Sequence, residues 1–155
     1  MIKNQKSTVA VEIFESLKRS TKDLVLEPTE ALVAISILAT TADGKLSEEE
    51  KWILSASHLR IFKCYSTEQF QGVLNKVLGL IKEYSSAAVF AAAKLALTPK
   101  LRQSAFAMAA DLILADGVLL PEEKEFLLQL WHALDISDEM GEKILDVMIV
   151  KNCCS

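Results

Sequence analysis

An internal duplication constrains this chain more than any other feature. Ala42-Asp43-Gly44, Leu46 and Glu49-Glu50 return 73 residues later as Ala115-Asp116-Gly117, Leu119 and Glu122-Glu123. Neighbouring positions follow the same offset: Ala34 pairs with Ala107, Ile35 with Met108, and Ile53 with Phe126. The match spans a helix, a turn and the next helix, so it predicts two helical hairpins related by a pseudo-twofold axis, in halves covering residues 28–65 and 98–135.

Helix punctuation fills in the rest. Ser7 precedes a stripe of Val9, Val11, Ile13, Phe14 and Leu17 that ends near Ser20, and residues 23–27 read as an extended connector. Pro28 opens a helix through Ala31, Leu32, Ile35, Leu38 and Ala39 that stops at Asp43-Gly44. Ser47 with Glu50 forms a capping box ahead of Trp52, Ile53, Leu54 and Leu59, and Ser66 or Thr67 starts the following helix. Ser85 or Ser86 opens an alanine-rich stretch that predicts a central, mostly buried helix. Thr98-Pro99 begins the helix that stops at Asp116-Gly117, Pro121 begins another, and Ser137 caps the last. Hydrophobic residues make up 51% of the chain and aromatics 6%, with five Gly and three Pro, a balance that favours long helices over many short strands. The expectation is a single all-α domain over residues 1–155, a compact bundle of seven or eight helices.

Charge and chemistry narrow the function classes. A net charge of -4 gives no broad phosphate-binding surface, which argues against nucleic acid. Between Asp111 and Asp146 ten acidic residues stand against Lys124 and Lys143, so cations are drawn to this third of the chain. No apolar run reaches the ~18 residues of a transmembrane segment. Charges interrupt the first 22 residues, unlike a secretory signal, and the expectation is a cytoplasmic protein. Cys64, Cys153 and Cys154 form no disulfide framework or C-x-x-C motif. Phosphate-cradling loops, nucleophile elbows and zinc-helix motifs are absent, His58 and His132 read as surface or boundary residues, and Trp52 and Trp131 as hydrophobic anchors. No enzymatic activity and no organic cofactor are expected.

The aspartates of the repeated turns follow helix C-termini, where a carboxylate is disfavoured by about 0.3–1 kcal/mol. Either backbone amides of the turn offset this, or a bound cation does. Set against a calcium-binding EF-hand loop, Gly44 at position six puts Asp43 at five, Ser47 at nine and Glu50 at twelve, but leaves Ala39 and Thr41 at one and three. The second turn places Leu112, Leu114 and Leu120 at one, three and nine. Each turn alone is thus short of oxygens for calcium. Leu120 replaces the capping serine, which leaves Glu123 freer than Glu50, and Asp111 adds a carboxylate where the first half has Leu38.

Two Ala-Asp-Gly turns, each with a Glu six residues after its Gly and separated by an alanine-rich middle, resemble the tellurite-resistance TerB family and the TerB-like domain of a membrane-anchored DnaJ-type co-chaperone. The resemblance covers about Pro28 to Leu134. It implies a compact helical fold with pseudo-twofold halves and a metal-binding acidic cluster, which falls here on Asp43, Glu50, Asp111, Asp116 and Glu123. The function expected is a stress-response module that binds Ca²⁺ or Mg²⁺ and engages protein partners, with a homodimer as one form. The alternative is a metal-free interaction or scaffold domain.

Overall fold

Pro28 has no backbone amide to leave unpaired and a backbone angle already suited to a first helical turn, and in the computed structural model helix α1 spans Pro28–Thr40. The structure describes residues 24–41, 46–59 and 65–153, with the side chains of residues 57–59 and 116 outside the description. Then come α2 (Glu48–Leu59), α3 (Thr67–Glu83), α4 (Ser86–Ala96), α5 (Pro99–Ile113), a 3-10 turn (Leu114–Asp116), α6 (Pro121–Ala133) and α7 (Asp138–Asn152). Among the described residues there is no strand, and the protein is all-α. The helix expected over Ser7–Ser20 lies outside the described residues.

Most predicted helix starts are made by the side chains that marked them. Ser66 Oγ accepts from the Gln69 amide at 3.1 Å while the Gln69 side chain accepts from the Ser66 amide at 2.8 Å. Ser85, Thr98 and Ser137 accept from the amides of Ala88, Leu101 and Met140 at 3.1, 3.3 and 3.2 Å. Each such cap stabilises its helix by about 1 kcal/mol.

The core is arranged around α1, in which every residue from Glu30 to Ala39 is buried. This corrects the expectation for the alanine-rich segment. Helix α4 buries Ala88, Val89, Phe90, Ala92 and Ala93, but Leu95 is 83% exposed. Small side chains let α4 lie close against α1, and closeness to a neighbour does not require being surrounded. Glu30 enters this core with compensation: its Oε1 accepts from the Glu27 amide at 2.9 Å, and the Lys76 ammonium of α3 meets Oε2. Burial pushes the Glu30 carboxyl up, but the amide and Lys76 together hold it below the usual carboxylate range.

The duplication survives in the packing. α1 and α5 end 73 residues apart, at Thr40 and Ile113, and α2 and α6 begin 73 apart, at Glu48 and Pro121. α1, α2 and α3 contact one another pairwise, as do α5, α6 and α7, and α1 against α5 joins the two triplets. A further echo, at an offset of 71, precedes the triplets: Leu24-Val25-Leu26-Glu27-Pro28 leads into α1 and Leu95-Ala96-Leu97-Thr98-Pro99 into α5. Leu26 and Leu97 are both buried.

The two tryptophans part company. Trp131 is buried, meets Phe106 edge-on with ring centroids 5.7 Å apart, and lies over Gly141 of α7, where a Cβ would overlap its ring. Trp52 is 70% exposed, so it does not anchor the described core. Gly141→Ala is expected to lower stability by about 1–3 kcal/mol in urea denaturation, as overpacking does. Gly79→Ala, on a stretch of α3 with open space around the missing Cβ, is expected to raise it by about 0.4–1 kcal/mol.

Candidate functional site

At the second corner α5 closes with the 3-10 turn, and Gly117 takes the left-handed conformation (φ 81°) that a side chain would resist. Its amide donates to the Leu114 carbonyl at 2.8 Å. Asp116 is the last residue of that turn; its carboxylate is outside the described atoms. The chain then runs through Leu119 and the N-cap position Leu120 into α6.

Leu120 has no oxygen with which to cap α6, yet Glu123 still reaches back. Its Oε1 accepts from the Leu120 amide at 3.2 Å. That corrects the expectation that losing the serine frees this carboxylate, because the returning half of a capping box needs only the glutamate and a backbone N–H. Glu123 is 5% exposed, and among the described residues it has no ion-pair partner. The positive end of α6 supports the charge in part.

In the first corner Ser47 and Glu50 form the full reciprocal box, with Glu50 Oε1 accepting from the Ser47 amide at 3.0 Å and Ser47 Oγ from the Glu50 amide at 3.1 Å. Asp43 lies outside the described residues. Asp111 is engaged across the bundle: its Oδ1 accepts from Lys151 Nζ and Asn152 Nδ2 of α7, both at 2.8 Å. Asn152 is itself steadied by donating to the Met148 carbonyl at 2.9 Å. Glu50, Asp111 and Glu123 are thus each tied to their own donors. Among the described residues no group of three or more His, Cys, Asp or Glu converges as a metal site, a statement that reaches neither Asp43 nor the Asp116 carboxylate.

Two polar clusters were not visible from motifs. At the α6–α7 corner Trp131 Nε1 donates to Asp138 Oδ1 at 2.9 Å, and His132 Nε2 meets the same oxygen. The indole first, then the imidazole, hold the Asp138 carboxyl below its ordinary value. Trp131-His132 followed closely by an acid at a helix start was the available signal. In the second cluster, Asp135, with φ at 58°, accepts from Lys94 at 2.9 Å and Arg102 at 3.5 Å. Arg102 also donates through Nε and Nη2 to the Lys94 carbonyl at 3.2 and 3.0 Å, closing the end of α4. The His58 side chain, Cys64 and Cys154 lie outside the described residues, and Cys153 is an exposed free thiol.

Comparison with protein-family models, curated proteins and solved structures gave no match to this chain. No helix among the described residues is long and apolar enough to cross a membrane.

The lowered Asp138 carboxyl carries a pH signature. A group depressed on folding contributes stability above its unfolded value, near 3.8, and loses that contribution as pH falls through the folded value. Asp138→Asn keeps the acceptor and removes the charge. Urea midpoints of the native protein and the Asp138→Asn variant are expected to differ at about pH 6, and the gap to narrow progressively as pH falls below 3.8. A gap that stays constant would contradict a charged Asp138.

Proposed function

We propose that the protein is a helical module whose second Asp-Gly corner receives a divalent cation, with Asp116 and Glu123 as the protein's carboxylates, and that it works through protein partners. The observation that carries this reading is the state of Glu123: a residue 5% exposed whose carboxylate is served by one backbone amide and by no described cationic side chain. A carboxylate on a largely buried side chain is stabilised by a counter-charge. The donors at this corner are carboxylate and carbonyl oxygens, which suit Ca²⁺ or Mg²⁺ and not a metal that prefers sulfur or imidazole. Water would complete the coordination shell, since the corner offers fewer than the six to eight oxygens calcium takes.

Asp111 leaves the ligand set in this reading because its Oδ1 is shared by Lys151 and Asn152. Glu50 serves its own helix start. The site is therefore single, at the corner that lacks a capping serine. The resemblance to the TerB family supports the cation and the stress-response setting, and the function is binding without catalysis. Calcium or magnesium at ~100 times its dissociation constant is expected to stabilise the fold by about 2.7 kcal/mol, read as a rise of several degrees in Tm. Glu123→Gln and Asp116→Asn are each expected to abolish that rise. A native protein with an unchanged Tm in millimolar calcium and magnesium overturns the reading.

A metal-free interaction domain is the second reading, favoured by α7, where Val147 and Val150 are 59% and 76% exposed. It predicts indifference to chelators, together with loss of self-association or partner capture when Val147→Glu and Val150→Glu are combined.

A further inference from the structure

Among the described residues the duplicated packing is incomplete on one side. Helix α4 lies on α1 and α3, and no described helix other than α6, which is matched to α2, lies on α5 and α7 in the same way. The deficit shows in burial. On α1 the stripe Ala31, Ala34, Ile35 and Leu38 is 0%, 0%, 1% and 5% exposed. Their counterparts on α5 differ: Ser104 is exposed, and Ala107, Met108 and Asp111 are only half-buried. These positions share one face at helical spacing. Every other packing partner of α1 is repeated on α5, so among the described residues α4 is the partner without an equivalent.

We propose that this α5–α7 face is the docking surface for the chain's own amino-terminal sequence, residues 7–20. Three observations choose that occupant. The connector Leu-x-Leu-x-Pro precedes both triplets; α4 runs into the second, so α4's counterpart belongs immediately before Leu24. The 73-residue offset carries Ser86–Ala96 back to residues 13–23, which overlap the proposed occupant over residues 13–20. Those residues hold Val9, Val11, Ile13, Phe14 and Leu17, enough apolar surface for such a face. Residues 7–20 are themselves balanced, Lys18 and Arg19 against Glu12 and Glu15, and the basic excess of this end lies in the flanking Lys3, Lys6 and Lys22. Each half would then be covered by the segment that leads into the other half.

Photo-crosslinking in the full chain tests this. A benzophenone amino acid replaces the exposed Ser104, and equal amounts of ¹⁵N-labelled and unlabelled protein are mixed before irradiation and peptide mass analysis. The expected adduct joins position 104 to a peptide within residues 7–20 of the same chain. Introducing Phe14→Glu is expected to lower its yield by about tenfold, because a carboxylate would enter an apolar contact, while circular dichroism stays helical. Adducts only between labelled and unlabelled chains would assign the face to a second copy and overturn the proposal. So would adducts confined to other segments, no adduct in residues 7–20, or a yield indifferent to Phe14→Glu.

Discussion

A helix with no face left for water sets the terms for this molecule. From Glu30 to Ala39 α1 is enclosed on all sides, and a helix can be enclosed only if several others surround it. α5 meets it at the junction of the two halves, and α2, α3 and α4 cover the rest. The polar members of this stretch are accommodated in place: Glu30 is held by the Glu27 amide and Lys76, and Thr40, just beyond it, turns its hydroxyl back onto the Ser36 carbonyl at 3.0 Å. The second acidic corner stands where the chain leaves α5, the helix that packs on α1 at the junction of the halves.

Local signals were the legible part of the sequence. Ser66, Ser85, Thr98 and Ser137 each cap the helix they announce, because a cap is decided within four residues and needs nothing from the rest of the fold. Pro28, Pro99 and Pro121 mark first turns for the same reason. The repeat was legible too, and it fixed helix ends at Thr40 and Ile113 to a common spacing.

Long-range partnership was not legible. Composition says that the alanines of α4 permit close approach, and is silent on which helix sits in the middle. Asp111 reads as a free acid until Lys151 and Asn152, some forty residues on, arrive beside it. Trp52 and Trp131 have equal apolar content, but only Trp131 has Phe106 and the bare backbone of Gly141 to lie against. At Glu123 the missing serine drew attention to the wrong half of the capping box: the half that persists uses a main-chain donor, which no side-chain substitution at position 120 short of proline removes.

Asp135 illustrates how electrostatics can overrule backbone ease. Its φ of 58° is a conformation in which glycine would sit with less steric resistance, so by backbone preference alone the residue is a second-best choice. What it supplies is an anion where Lys94 and Arg102 converge, fastening the α4–α5 joint to the loop between α6 and α7. The joint that passes the chain from one half to the other is thereby riveted to the far half by ions as well as by the buried Leu97, and high salt would loosen the ionic rivet while leaving the apolar interior untouched.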